Sequence, residues 1–380
     1  MKKIEDTLDF QGKQLKIVDR MIAFLLKKRM DIAIRIARIK MSEGTPFIRL
    51  EVEGQRIEEV RRLAGEIGLN PHYLTTVLYT NIGESCKAQL MCLQNPDMFS
   101  PLEEDEEVRY AQLKKNLLTL TERWAATYNR SYDEGHFATR AYVAWETQAI
   151  RAHAGGMFLP QGVLVDLGCA TGRMSFVLSD AGYFTAAYGY DISPGMVRHA
   201  KEVAGGCAYP VEFSVHDFES DGIPLPDESA SFVVMNLGTG SDVKSFSLVL
   251  EEIRRVLMPG GRFAVSFYNR DALLYRCGFM PWPTGLTAEF NTVTDTLDVQ
   301  SGGKTLTIYA HPYRVSEATA LFGDGLSVSD VSTFPSVSAI LPTDVIEGKE
   351  GAEEAMTEVD RILASTGMGA YILVLGEKKN

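Results

Sequence analysis

The sequence is poor in cysteine, has no long apolar run and carries no excess of positive charge. Its 5 cysteines in 380 residues are Cys86, Cys92, Cys169, Cys207 and Cys277, scattered and odd in number. No close CxxC or Cys/His pairing is among them, which argues against a disulfide framework and against zinc, so no metal is expected. They read as reduced thiols of a cytoplasmic protein. The opening "MKKIEDTLDF" lacks an apolar signal core, and the nearest apolar run, "MIAFLL", is too short to span a bilayer, so neither export nor a membrane is expected. Lys and Arg number 38 against 50 Asp and Glu, a net charge of −12; this speaks against a broad footprint for nucleic acid or an anionic membrane. An anionic ligand must meet a local cluster of cations. Tandem repeats and low-complexity segments are missing too, and the 45% hydrophobic, 23% charged composition fits two ordinary domains.

What is present divides into two periodicities. From residue 8 to 95 the pattern is helical. Val18, Ile22, Leu25, Ile32, Ile36 and Ile39 keep the spacing of one helix face, and neither Gly nor Pro interrupts Lys13 to Glu43, which predicts one long helix with that stripe toward the core. Ile57, Val60, Ala64 and Ile67 mark a second helix. A third opens at "NPHYL", where Asn70 can cap and Pro71 suits the first helical position, with the stripe Leu74, Leu78, Ile82. "NPDMFSPLEEDEEVRY" (95–110) is acidic with two prolines and reads as a linker or a solvated helix start.

After residue 160 short β-rich runs alternate with helices: VLVD (163–166), AAYGYD (186–191), VEFSV (211–215), SFVVMN (231–236), GRFAVSF (261–267) and AYILVLGE (370–377). Phe246, Val249, Leu250, Ile253, Val256 and Leu257 form an amphipathic helix stopped by Pro259, Gly260 and Gly261. The expected fold is α/β, a doubly wound Rossmann-like sheet preceded by a small all-α domain. The divisions read from the sequence are 1–95 helical, 96–118 acidic linker and 119–380 α/β.

In such a sheet ligands sit beyond the carboxyl ends of the central strands. There the first strand delivers Asp166, Gly168, Ala170 and Gly172 in "VLVDLGCATGR", spaced D-x-G-x-A-x-G. The third glycine of a dinucleotide turn is absent, and an acid just before the turn suits a cation better than a pyrophosphate. Asp191 closes the second strand, placed for a ribose diol; Asp217, with Phe218 beside it, follows the third and can accept from an adenine amino group. Asn236 to Gly238 end the fourth. Histidines 136, 153, 216 and 311 stand alone, and none announces itself as a general base.

"VLVDLGCATGR", "YGYDISPGMV", "HDFESDGIPLPDESASFVV" and "VLMPGGRFAVSF" come in the order and spacing of the class I S-adenosylmethionine-dependent methyltransferases, which residues 120 to 380 resemble. The resemblance implies S-adenosylmethionine as cofactor, with Asp166, Gly168, Cys169 and Gly172 lining its methionine and ribose portion and Asp191 on the ribose hydroxyls. Ile192 and Met196 would flank the adenine, and Asp217 and Phe218 would complete its pocket. Ala170 stands where the family has its middle glycine. "WAATYNRSYDEGHFATRAYVAWE" (124–146) resembles the family's cover, in which Tyr128 and Tyr132 could face the sulfonium. Asn236 and Leu237 are expected on the cofactor as well.

On the helical side, Arg29 and Lys40 fall on the first apolar stripe, Glu53 precedes the second, and Ser85 and Gln89 continue the third. Such groups either pair internally or surround an anionic ligand. "IVDRMIAFLLKKRMDIAIRIARIK" and "GLNPHYLTTVLYTNIGESCKAQ" resemble the first and third helices of the all-helical chorismate mutases. The resemblance places Arg29, Lys40, Glu53, Ser85 and Gln89 on the substrate's carboxylates and ether oxygen and implies a homodimer. Two family arginines fall on Gly12 and Val52 instead, with Lys13, Arg49 and Arg56 nearby. The implied protein is a methyltransferase for a small, aromatic or chorismate- or prephenate-derived metabolite, with a helical domain of weak mutase activity that dimerises. The alternatives are a fully bifunctional enzyme, or a catalytically silent helical module on an enzyme that performs non-methyl alkyl transfer or cyclises S-adenosylmethionine.

Overall fold

The computed structural model describes residues 8–43, 50–94, 106–155, 162–207, 210–276, 288–291, 294–301, 304–323, 325–341 and 346–379. The chain divides into two compact units, Met1–Glu104 and Asp105–Asn380.

The first unit is all helix: α1 (Leu8–Glu43), α2 (Leu50–Ile67) and α3 (Pro71–Gln94). The uninterrupted α1 and the start of α3 follow the sequence reading; Asn70 Oδ1 accepts from the backbone N–H of His72 at 2.9 Å and so satisfies an orphan donor of the first turn. The apolar stripe of α1 departs from expectation. Ala33 and Ala37 are buried, whereas Val18, Ile22, Leu25, Ile32, Ile36 and Ile39 are 40–54% exposed. Helices approach closely where side chains are small, so α1 packs by its alanine side and turns the larger side chains outward.

The second unit is a three-layer α/β domain. Its 7-stranded sheet has the order β3-β2-β1-β4-β5-β10-β9, built from β1 (Gly162–Leu167), β2 (Phe184–Asp191), β3 (Val211–Val215), β4 (Ala230–Met235), β5 (Leu257–Tyr268), β9 (Leu326–Phe334) and β10 (Tyr371–Lys378). The pairs among β1 to β5 are parallel, and β10 runs antiparallel between β5 and β9. Leu164, Val165, Phe232, Val233, Val234 and Val265 have no exposed surface, as strands covered by helices on both faces require. The helices that bear on the site are α4 (Glu106–Trp124), α5 (Tyr128–Asp133), α6 (Phe137–Gly155), α7 (Arg173–Asp180) and α8 (Pro194–Ala204).

Three differences from the sequence reading concern this unit. Residues 106–118, assigned to a linker, belong to α4, whose Leu113 and Leu120 are buried; Glu106 and Glu107 fall in its first turn, where acids favour the helix dipole. β5 begins at Leu257, so the Pro259–Gly261 stop lies within the strand. A separate antiparallel sheet, β6 (Ala288–Asn291), β7 (Thr296–Ser301) and β8 (Lys304–Tyr309), had no counterpart. Its Leu297, Val299 and Ile308 pack on Leu120 of α4, and Asn116 Nδ2 of that helix donates to the Thr307 carbonyl at 2.7 Å.

Candidate functional site

The carboxyl ends of β1, β4 and β5 open into a cavity of about 700 Å³, walled by Gly168, Cys169, Ala170, Asn236 and Leu237 on the sheet side. Trp124, Tyr128, Tyr132, Tyr268 and Tyr371 supply an aromatic wall, and Leu120, Leu297 and Ile308 a lid of aliphatic groups from α4 and the small sheet. The floor is set by the backbone. Gly168 has φ +72°, and a Cβ there would lie 2.5 Å from Thr239 Cγ2, so only glycine fits the turn. Ala170 adopts φ +46°, and its N–H donates to Asp191 Oδ2 at 2.9 Å, a bond that holds the non-glycine residue in this conformation.

Two carboxyls support the turn. Asp166 Oδ2 accepts from the Ser175 N–H (3.1 Å) and hydroxyl (2.6 Å); its Oδ1 has no partner among the described residues. Burial pushes its pKa up to about 7 against those two donors. Asp191 Oδ1 accepts from the Ser193 N–H at 2.8 Å, and burial raises it too, opposed by the Ser193 and Ala170 donors. Each Asp191 oxygen accepts one of these bonds and keeps a lone pair for a further donor.

The other expected cofactor residues separate into groups. Tyr128, Gly168, Cys169, Ala170, Asn236 and Leu237 come together on the cavity, Tyr128 meeting Tyr132 edge-on at 5.0 Å. Gly172 caps α7, and its requirement is packing: a Cβ would meet Phe213 Cζ at 2.5 Å and Phe176 Cε2 at 2.8 Å. Met196 is buried and Ile192 half-buried. Phe218 is not turned toward the cavity. The short turn that follows Asp217 places its ring in the sheet core with Tyr190 and Val165. Asp217 is held by α4: Lys114 Nζ lies 2.6 Å from Asp217 Oδ2 and 2.9 Å from Glu219 Oε2. Burial alone would raise the Asp217 pKa, but the Lys114 hydrogen bond and charge outweigh it and hold the carboxyl below its ordinary value. The same helix reaches α8, where Glu122 accepts from the Gly195 N–H.

Two carboxyls that sequence reasoning did not single out also belong here. Glu146 of α6, 1% exposed, accepts from the Tyr142 hydroxyl at 2.8 Å and from the Leu237 N–H at 3.1 Å. It thereby secures the turn after β4, where Leu237 has φ +55°; burial pushes its pKa up to about 7. Asp242 lines the cavity one turn further along the chain. Nothing in a linear pattern marks a lone aspartate after a glycine-rich turn; only its placement does.

In the helical unit, Arg29 donates to Ser85 Oγ and to the Asn81 carbonyl, and Lys40 Nζ lies 3.4 Å from Gln89 Oε1. Ser85 and Gln89 are buried. Four of the five expected mutase-like residues therefore line one α1–α3 seam. Glu53 is in α2, its side chain outside the described residues, as is all of Arg49. Gly12 and Lys13 are exposed on α1, and Val52 and Arg56 lie on α2. Among the described residues no helix is long and apolar enough to cross a membrane, and no group of three His, Cys, Asp or Glu side chains could hold a metal.

Comparison with known proteins finds matches to both parts of the chain. A demethylmenaquinone methyltransferase of Lactococcus lactis is 35% identical over 130 residues, covering 31% of this chain and 50% of that protein. A malonyl-[acyl-carrier protein] O-methyltransferase of Methylococcus capsulatus is 32% identical over 114 residues, 30% of this chain and 40% of that one. The chain spans from 6% to 65% of the length of the curated relatives it matches. Among solved structures, a methyltransferase in complex with the Trm112 activator of Haloferax volcanii has 22% identity and a TM-score of 0.45, over 68% of this chain and 95% of that one. S-Adenosylmethionine is the cofactor that goes with these matches, and the glycine-only turn, the two supporting carboxyls and the aromatic wall fit it. The chain carries a methyltransferase domain, matched over residues 165–265, and a chorismate mutase type II domain, matched over residues 12–90.

Proposed function

We propose that the protein transfers the methyl group of S-adenosylmethionine to a small, planar metabolite, aromatic or derived from chorismate or prephenate, and that its helical domain joins two chains. The observation that carries this reading is the cavity, which places an acid-supported glycine turn opposite aromatic rings. The cofactor supplies a methyl group already activated by a sulfonium. What the chain contributes is grip, alignment and exclusion of water. Asp191 is offered to the ribose hydroxyls and Asp166 underpins the turn. Tyr128 and Tyr132 present π faces suited to a cation, and the aliphatic lid from α4 and the small sheet keeps solvent from the methyl carbon. Asp217, assigned to the adenine end, is tied to Lys114, so α4 would help to shape that end of the site.

The exposed stripe Val18, Ile22, Leu25, Ile32, Ile36 and Ile39 supports a homodimer, since so long an apolar face in water invites burial by a second copy. A weak mutase activity is supported by the Arg29–Ser85 and Lys40–Gln89 contacts, which bring two cations and two buried polar side chains to one α1–α3 seam. The domain division keeps 1–95 as the helical part and begins the C-terminal α/β part at Glu106 of α4 in place of residue 119. The decisive experiment is calorimetric titration of the full chain with S-adenosylmethionine and, separately, NAD. Binding of the first and not the second is expected; the reverse would refute the methyltransferase reading.

A further inference from the structure

Past β4 the chain makes a tight 3-10 turn, Thr239–Ser241, and presents Asp242 to the cavity. The turn is pinned from three sides. Ser241 Oγ accepts from the Tyr268 N–H and the Ser241 carbonyl from the His311 N–H, both at 2.8 Å; the Gly238 N–H donates to Ser266 Oγ at 3.0 Å. Gly238 lets the Tyr268 ring lie across the turn, since a Cβ there would be 2.4 Å from Tyr268 Cε1. The phenol oxygen of that ring stands 3.5 Å from Asp242 Oδ2, and Asp242 Oδ1, buried, has no hydrogen-bond partner among the described residues.

A carboxyl in this setting is costly unless it is used. The titratable groups that face it offer no charge to balance it: Tyr128 and Tyr132 from α5 and Tyr268 from β5. The two arginines of the cavity wall are paired elsewhere, Arg173 with Asp133 at 2.6 Å and Arg130 with Glu134 at 3.9 Å. His311 pairs with Asp295 at 3.0 Å. Burial accordingly pushes the Asp242 pKa up to about 8, so in the free protein at neutral pH the carboxyl keeps its proton. A cation entering the same low-dielectric space reverses that preference.

We propose that Asp242 is the proton acceptor of this cavity, that the arriving sulfonium ionises it, and that the acceptor it serves is a phenolic or enolic hydroxyl. The inference rests on the methyltransferase reading. In the step, the acceptor oxygen forms a bond to the methyl carbon as the carbon–sulfur bond breaks, its electron pair passing to sulfur to leave a neutral thioether. The hydroxyl proton goes to the Asp242 carboxylate and stays there as the products depart, so the proton that the reaction yields to solvent is the one released when the cofactor bound. The carboxylate is a stronger base than an ordinary aspartate, and a hydroxyl made acidic by a ring or an enol is the donor that it matches. Trp124 and Tyr371 stand in the wall against which such a flat ring can lie. Charge then sets the order of events: base and methyl donor become competent together, and the thioether product returns Asp242 to its protonated form.

The test compares S-adenosylmethionine with S-adenosylhomocysteine, which lacks the sulfonium charge, by calorimetry of the full chain at pH 7 in buffers of different ionisation enthalpy. The proposal expects the first ligand to release up to one more proton per site than the second. In Asp242→Asn both ligands still bind and the difference vanishes. Equal proton release by both ligands in the wild type, or a difference that persists in Asp242→Asn, overturns the proposal. Failure of either ligand to bind the wild type overturns the methyltransferase reading itself, a separable result. A panel of phenols and enolic acids beside their amino counterparts, read by the mass gain of one methyl, addresses the acceptor. Methylated hydroxyl compounds, formed at least a hundredfold more slowly by Asp242→Asn, support it. Methylation of amines only, an undiminished rate in Asp242→Asn, or no methylation in the panel contradicts it.

Discussion

The two halves of this chain handle their apolar residues in opposite ways. In the α/β half, large side chains such as Phe232, Phe263, Phe267 and Phe334 are fully buried, and the cavity is walled by segments of the same unit. In the helical half the buried residues include the small Ala33, Ala37 and Ala64, while the row from Val18 to Ile39 faces out. A half that fills its own core can hold a precise pocket alone. A half that buries alanines and exposes isoleucines has little hydrophobic stabilisation of its own, and the proposed association with a second copy would supply the rest.

The largest effect is expected where the α/β half has least room. Gly168→Val puts a branched side chain at φ +72° and against Thr239; S-adenosylmethionine affinity should fall more than about 100-fold, read by calorimetry, with circular dichroism to show that the sheet remains. Retained affinity would mean that the turn is not the cofactor's floor. Asp191→Ala comes next. Loss of a charged acceptor for the ribose hydroxyls should cost about 1–3 kcal/mol, roughly 5- to 150-fold in Kd, and an unchanged Kd would remove Asp191 from the site.

Asp166 gives a pH signature. Its folded pKa is raised to about 7, whereas the unfolded carboxyl ionises near about 4. Between those values the folded state holds the proton that the unfolded state has released, so its contribution to stability falls as pH rises and levels off above about 7. Asp166→Asn lacks this loss. Relative to wild type the variant should gain about 1–3 kcal/mol on going from pH 4 to pH 8, measured by urea unfolding at each pH; a gap that does not change with pH would contradict the assignment. The smallest effect is expected in the helical half, where Arg29→Ala should lower an already weak chorismate rearrangement about tenfold. If neither protein rearranges or binds chorismate or prephenate, the domain is a scaffold and its polar seam is internal pairing. Wild-type activity equal to that of a dedicated mutase would instead show that Gly12 and Val52 cost nothing.

The same contrast governs what could be read from the sequence. The parallel strands were legible because a strand buried on both faces is a continuous apolar run, as in VLVD and SFVVMN. The start of α3 was legible because Asn70 and Pro71 act locally. The α1 stripe was read as one face, correctly, but periodicity says which residues share a face and not which chain covers it. Arg29 and Lys40 were placed on that stripe; they lie at its border, on the side of Ala33 and Ala37, a small rotation that a 36-residue helix accumulates and a spacing rule does not resolve. The small sheet β6–β8 escaped because "TLDVQS" and "KTLTIY" are short and half polar, and its role as a lid comes from packing on α4. Phe218 followed its motif in sequence and the core in space. Asp242 has no motif at all.

The central claim is that one half is complete in a single chain and the other needs a second copy. Native mass spectrometry of the full chain with S-adenosylmethionine tests it most directly, comparing wild type with Ile22→Glu/Ile36→Glu. The account predicts a wild-type species at twice the 42.0 kDa chain mass carrying one cofactor per chain, and a double variant at the single-chain mass that still carries its cofactor. A wild-type monomer, or loss of the cofactor when the dimer is broken, would contradict it.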